Sequence, residues 1–166
     1  MITAIYPGSF DPVTLGHLNI IKRAANAFDQ VIVCVMVNSA KSGTFSPEER
    51  VDFLRRTIHL DNVEIDMHTG LLADYARKKG ARVLVKGLRA VSDFEAEVQM
   101  AVVNSSLNPE LDTMFFPSGQ KYSYLSSTVV KELARYSANL TEVLPREIIE
   151  DVKMKMEIKR GECDGK

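Results

Sequence analysis

The run Tyr6-Pro7-Gly8-Ser9-Phe10-Asp11-Pro12-Val13-Thr14-Leu15-Gly16-His17 puts a β-prone end, a small-residue loop and a helix start in immediate succession. Thr14 stands just ahead of Leu18, Ile21, Ala24, Ala25 and Phe28, which recur at helical spacing, so it reads as the N-cap of a helix from about Leu15 to Phe28. Counting from that cap puts Gly16 and His17 in the first turn, where free N–H groups and the positive end of the helix dipole favour an anion. His17 then faces a bound phosphate, and Gly16 has no side chain to keep that phosphate off the backbone. Either glycine alone would signal only a turn or close packing; Thr-x-Gly-His after a strand and loop is a far more specific signal.

Such a loop needs a sheet behind it. Ile2–Tyr6 is a short strand that Pro7-Gly8 is expected to end. Val31–Val37 is an almost unbroken apolar run and Val83–Val85 another, as in strands covered on both faces. Val63–Met67 and Met114–Pro117 supply two weaker strands. Helical patterns fall between: Pro47–Leu60 after Ser46, Leu71–Lys79 closed by Gly80, Val91–Leu107 before Pro109, and Ser126–Tyr136. The alternation predicts an α/β fold, a doubly wound, mostly parallel five-stranded sheet with helices on both faces. Pro145–Lys159 reads as an added amphipathic helix, giving one domain over 1–159, and 160–166 as a frayed polar tail.

In open α/β sheets ligands gather beyond the carboxyl ends of the strands. There the sequence places Gly8, Ser9, Phe10 and His17, then Asn38 and Lys41, then Lys86-Gly87-Leu88-Arg89, then Ser118, Lys121, Ser123 and Ser126-Ser127-Thr128. Cations, hydroxyls and two helix N-termini suit a polyphosphate. Lys86 ends a buried strand, where a lysine needs a partner. Lys41 reads equally well as a solvated loop lysine, and Arg89 as a salt bridge to Asp93 or Glu95. One helix cap uses one of the three hydroxyls of Ser126, Ser127 and Thr128, leaving the others as spare donors. Asp11 reads as an Asx turn ahead of Pro12 rather than as a metal ligand. His59 and His68 lack spaced partners, and neither a zinc site nor a nucleophilic triad is legible. In the helix Val91–Leu107, the stripe Val91, Phe94, Val98, Ala101 and Val102 is expected to pack on the sheet, leaving other faces for subunit contact.

The balance of 21 Lys+Arg against 22 Asp+Glu argues against a chain that coats nucleic acid. Cys34 sits in an apolar run and Cys163 in the polar tail, a core thiol and an exposed one rather than a disulfide pair. The first residues show no signal-peptide pattern, and no apolar run approaches the roughly 18 residues that span a bilayer. The expectation is a cytoplasmic chain with no membrane or nucleic-acid partner.

The segment with Thr14-x-Gly16-His17, the turn Lys86-Gly87-Leu88-Arg89-Ala90, and the helix start Ser126-Ser127-Thr128 resemble the bacterial phosphopantetheine adenylyltransferase family, over roughly residues 2–158. Thr-x-Gly-His marks the wider nucleotidylyltransferase superfamily, and the Gly-Leu-Arg turn with Asp93-Phe94-Glu95 narrows it. The resemblance implies a Rossmann-like fold and transfer of AMP from ATP to 4′-phosphopantetheine, giving dephospho-coenzyme A and pyrophosphate. It further implies that His17 stabilises the transition state and that Lys41 and Lys86 hold the acceptor phosphate. Ser9, Phe10, Gly87, Leu88, Arg89, Glu97 and the segment Tyr122, Ser123, Tyr124, Leu125, Ser126, Ser127 and Thr128 would contact ATP. Ser9 would also touch the acceptor, whose arm Leu72 would line. Mg²⁺ would ride on the triphosphate without a named protein ligand, coenzyme A would be a feedback ligand, and the assembly would be a homohexamer. Family members commonly carry Thr at Ser9 and Arg at Lys86. Rival readings on the same residues are a nucleotidylyltransferase for nicotinamide mononucleotide or a sugar or glycerol phosphate, and a non-catalytic adenine-nucleotide module.

Overall fold

A computed structural model describes residues 1–38 and 42–164. Five strands, β1 (Thr3–Gly8), β2 (Gln30–Val37), β3 (Val63–Thr69), β4 (Val83–Leu88) and β5 (Asp112–Pro117), form one sheet in the order β3-β2-β1-β4-β5. Every neighbouring pair is parallel, as the alternation predicts. Between and after the strands come α1 (Leu15–Ala27), α2 (Pro47–Thr57), α3 (Leu72–Lys79), α4 (Val91–Leu107), α5 (Ser127–Arg135) and α6 (Ile149–Asp164).

Alternation along each strand divides the core in two. Ala4, Tyr6, Val31, Val33 and Val35 face one side, packed with Ile20, Ile21, Val51, Leu54, Val130 and Ile148 from the helical layer there. Ile5, Ile32, Cys34 and Leu84 face the other, packed with Ala73, Tyr75 and Ala76 of α3. Strands buried on both faces carry no polar alternation, which is why they read as continuous apolar runs. The chain steps outward through β2 and β3, then returns to lay β4 against β1, making the β1/β4 junction the point where strand order reverses.

The sheet opens at that junction. Pairing of β1 with β4 covers Ala4↔Val83 and Ile5↔Leu84, whereas pairing with β2 continues through Pro7↔Cys34 to Gly8↔Val35. The strand therefore runs past Tyr6, where the proline was expected to stop it: a missing N–H weakens a ladder on one side and leaves the other intact. Beyond Ile5 and Leu84 the two strands part, and a crevice begins.

Three further expectations change. The apolar stripe of α4 covers the sheet only in part: Val98 and Ala101 lie on the inner side with Asp93, Glu97 and the buried Asn104, and Phe94 touches Phe115 of β5 while staying half exposed, but Val91 and Val102 are exposed. Apolar residues all round that helix give its periodicity little power to select a face. Pro145 lies ahead of a single 3-10 turn rather than in the first turn of α6. The helix itself continues to Asp164, through most of the expected tail. Cys34 is a buried free thiol, as read, with burial first among the causes that push it up to about 11.

Candidate active site

Thr14 caps α1 and His17 completes the cap. The Thr14 hydroxyl accepts from the His17 main-chain N–H at 3.3 Å, and the Thr14 main-chain N–H donates to His17 Nδ1 at 3.0 Å. This is a capping box with histidine in the place usually held by Glu or Gln. Because a main-chain N–H can only donate, Nδ1 must be the unprotonated nitrogen. Burial, with the Arg89 charge adding to it, lowers the imidazole to about 4, so at neutral pH it is uncharged and carries its proton on Nε2. The ring thus presents a fixed N–H donor on the edge turned away from Thr14. Leu15 N–H donates to Val143 O, while Gly16 N–H has no protein acceptor among the described residues and remains free for an anion.

Behind His17 stands Phe10, 1 % exposed, its ring edge-on to His17 (centroids 5.2 Å apart) and to Tyr6 (5.4 Å). The ring lies over Gly8, where an added Cβ would meet Phe10 Cζ at 2.9 Å. Glycine is required there by that close approach. The Phe10 side chain belongs to the core and the support of His17, so what it can offer a ligand is its backbone.

The end of β4 supplies the charges. Lys86 Nζ pairs with Glu97 Oε2 at 3.1 Å, and this solvent-shielded oxygen has no hydrogen bond beside that ion pair. Arg89 Nε pairs with Asp93 at 3.1 Å, the salt bridge read as its alternative, and Nη1 donates to Leu125 O at 3.2 Å. It nonetheless lines the same cavity. Tyr6 is 6 % exposed; its phenol has no partner among the described residues, and burial first, with Glu97 adding to it, raises its pKa so that it stays an O–H donor.

From α5 come the last donors. Ser126 is the cap, accepting from Val129 N–H at 3.1 Å. Ser127 Oγ is not spare: it donates to Pro12 O at 2.8 Å and ties α5 to the loop. The main-chain N–H groups of Ser127 and Thr128 have no acceptor among the described residues, the ordinary state of a helix start and a ready anion contact.

These parts enclose one cavity of about 440 Å³, within the range of small-molecule sites. Of the residues predicted, it brings together Ser9, Phe10, His17, Lys86, Gly87, Arg89, Glu97, Tyr122, Leu125, Ser126, Ser127 and Thr128. Leu88, Ser123, Tyr124 and Leu72 lie outside its lining. Leu88 is spent on the ladder with Pro117, Ser123 bonds to Gln120 O, Tyr124 is exposed, and Leu72 packs against the buried cluster on the α3 side of the sheet. Lys41 lies outside the described residues. Tyr6, Pro7 and Ile20 are linings that sequence reasoning missed. The signal for Tyr6 was present, since it is the last residue of the predicted first strand with a side chain long enough to reach the rim.

Among the described residues no group of three or more His, Cys, Asp or Glu could hold a metal ion. Asp11 is not the expected Asx turn. Its carboxylate, 8 % exposed, accepts from Thr44 N–H (2.9 Å) and Phe45 N–H (2.8 Å) and pairs with Lys131 (3.1 Å) and Arg50 (3.5 Å). Three hydrogen-bond donors and the neighbouring Arg50 charge engage it, so the carboxylate is occupied by the protein itself.

A family model described as cytidylyltransferase-like matches residues 5–133. The phosphopantetheine adenylyltransferase of Clostridium botulinum (strain 657 / Type Ba4) is 49% identical over 164 residues, covering 98% of this chain and 99% of that one. The phosphopantetheine adenylyltransferase of Caldanaerobacter subterraneus subsp. tengcongensis is 53% identical over 146 residues, 87% of this chain and 91% of its own. The nicotinic acid mononucleotide adenylyltransferase of Plasmodium falciparum superposes with a TM-score of 0.65 over 92% of this chain and 94% of that one, and at 12% identity it attests the fold alone. A nucleotidylyltransferase fold, a donor-lined crevice where its strand order reverses, and near-full-length identity of about half place this chain in the bacterial phosphopantetheine adenylyltransferase family.

Proposed function

We propose that this cavity transfers AMP from ATP to 4′-phosphopantetheine, forming dephospho-coenzyme A and pyrophosphate. The observation that carries the mechanism is the 3.0 Å bond from Thr14 N–H to His17 Nδ1, which leaves a neutral imidazole with its N–H donor at Nε2. An acceptor phosphate oxygen attacks the α-phosphorus; that P–O bond forms as the bond to the bridging oxygen of the β-phosphate breaks, and pyrophosphate leaves with the electron pair. The attacking phosphate is already anionic, so no general base is required. Catalysis then consists of in-line positioning and stabilisation of charge developing on the α-phosphate by His17 Nε2–H and Gly16 N–H.

The ATP side is assigned to Ser9, the backbone of Phe10, Gly87, Arg89, Glu97 and the α5 start, with Leu88 and the residues Tyr122–Leu125 framing it. Lys86 and Lys41 are assigned to the acceptor phosphate. β2 and β3 adjoin β1 on the side away from β4, so an acceptor arm leaving the crevice in that direction passes toward Leu72. The donor set of cations, hydroxyls and N–H groups fits Mg²⁺ held by phosphate oxygens and water, and no protein ligand is assigned. When bound, the ion neutralises triphosphate charge. Coenzyme A, which carries the same arm, is assigned as a competing ligand.

Exposed Phe94, Met100, Val102, Val103 and Leu107 on α4, with Met114 on β5, support self-association, and a homohexamer is the proposed state. No helix among the described residues is long and apolar enough to cross a membrane, and the cytoplasm is the proposed location. The test is pyrophosphate release with ATP and Mg²⁺ against 4′-phosphopantetheine, nicotinamide mononucleotide and glycerol phosphate, with CTP in place of ATP as a further arm. Turnover is expected only with ATP and 4′-phosphopantetheine; strong turnover with another pair overturns the assignment. His17→Ala is expected to lower kcat by about 3–4 kcal/mol of transition-state stabilisation while ATP still binds.

A further inference from the structure

The segment from Ser9 to Val13 has neither a sheet ladder nor helix bonds to hold it, yet it must fix Phe10 and deliver Thr14 to His17. Side chains from two helices do this instead. Arg50 of α2 donates Nε to Phe45 O at 2.8 Å and Nη1 to Ser9 O at 3.4 Å. Ser127 of α5 donates to Pro12 O at 2.8 Å. Between these tethers stands Asp11, whose one carboxylate gathers two main-chain N–H groups ahead of α2, Arg50 of α2 and Lys131 of α5. Phe10, its neighbour, has φ 45°, a left-handed conformation that a bulky residue keeps only where its surroundings over-determine it.

We propose that Asp11 is a positioning residue for His17. Clamped between α2 and α5, it holds the loop so that Phe10 buttresses the imidazole from behind and Thr14 N–H pins its Nδ1, which fixes the Nε2–H donor in the cavity. The carboxylate touches no reacting atom; it acts through Phe10 and Thr14. A charge at this point also resists exchange for a neutral isostere, because Lys131 and Arg50 would each lose a buried partner.

This rests on the reading of His17 as the α-phosphate donor, and the test keeps the two apart. In the full chain, Asp11→Asn is compared with wild type, with His17→Ala and with the double variant. Asp11→Asn is expected to lower kcat about tenfold to a hundredfold, with ATP affinity changed less than about threefold. The same substitution on the His17→Ala background is expected to change kcat little. An equal loss of kcat on both backgrounds, or an unchanged kcat in folded Asp11→Asn, overturns the proposal. The ¹⁵N spectrum of the His17 imidazole in ligand-free protein is the second readout: the Nε2–H tautomer dominates in wild type and is expected to mix with the Nδ1–H form in Asp11→Asn. An identical spectrum overturns the proposal even if turnover is never found, whereas absent turnover in wild type counts against the reaction and not against Asp11. If Asp11→Asn does not fold, Lys131→Met, which loosens the same clamp from the α5 side, is put through the same cycle with the same expectations.

Discussion

Thr14 and His17 hold each other at both ends of one helical turn: the hydroxyl of Thr14 accepts from the main chain of His17, and the imidazole of His17 accepts from the main chain of Thr14. The residue that caps the helix and the residue proposed to meet the α-phosphate are therefore one structural unit. Folding and proton placement are settled by the same two bonds.

That unit makes stability depend on pH. The folded imidazole lies at about 4, below the ordinary value of 6.5, because burial and then Arg89 oppose its charge. Between those values the unfolded chain binds a proton that the folded chain refuses. Stability therefore rises with pH across this window, is fully present above about 6.5, and is lost toward 4, by about 3 kcal/mol at most. His17→Gln keeps a capping side chain at the third helical position but does not titrate. Urea unfolding at pH 4.5 and 7.5 is expected to show a smaller difference for His17→Gln than for wild type; Asp11 and Asp66, whose carboxyls are depressed from 3.8, lose their stabilisation only below this window. Parallel profiles would refute the assignment.

Lys86 and Glu97 invite a coupling measurement. Lys86→Met strands a carboxylate whose Oε2 is shielded and has no hydrogen-bond partner, beside the place assigned to incoming phosphate. The single variant thus loses a cation and gains an unopposed anion. Adding Glu97→Gln removes the second penalty, so the KM for 4′-phosphopantetheine is expected to recover part of its loss, with coupling of about 1–2 kcal/mol. Strictly additive KM values would show that the pair does not act on the acceptor phosphate.

How much of this was legible beforehand depends on what each feature is made of. The parallel sheet followed from runs such as Val31–Val37, because burial on both faces writes itself into composition, whereas the strand order that opens the crevice is a tertiary choice. Thr14 and Ser46 were legible as caps because capping is local chemistry, and Ser126-Ser127-Thr128 was legible as holding one without showing which residue. Asp11 was not, since its partners Thr44, Phe45, Arg50 and Lys131 are 33 to 120 residues away and no short-range rule connects them. Ser127 was misread for the same reason, its acceptor being Pro12. The α4 stripe held only at Phe94, Val98 and Ala101, because a helix apolar on several sides leaves the choice of face to tertiary packing.

Gly87 is held to glycine by a helix rather than by a ligand. A Cβ there would lie 3.2 Å from Ile20 Cγ1, tighter than ordinary contact, and 3.7 Å from the Tyr6 hydroxyl. Gly87→Ala is expected to cost about 1–3 kcal/mol in denaturant unfolding as α1 is pushed from β4. On an Ile20→Ala background, where the opposing side chain is gone, the same substitution should cost far less. An equal cost on both backgrounds would mean that backbone conformation, not the Ile20 contact, demands glycine.

The outer face of α4 offers a test of assembly that leaves the cavity alone. Val102 is 63 % exposed, on a helix that also exposes Met100, Val103 and Leu107, and it does not line the site. A charge at that position stays solvated in a monomer and is desolvated in any contact that covers the helix. Val102→Asp is therefore expected to leave the thermal unfolding of the isolated subunit within about 0.5 kcal/mol of wild type, the usual range for a surface change. In sedimentation velocity it is expected to lower the assembly mass, because an unpaired buried carboxylate costs several kcal/mol at each copy of the interface. An unchanged mass distribution for Val102→Asp would place the subunit contact on some other surface, and would leave the exposed valines of α4 without an occupant.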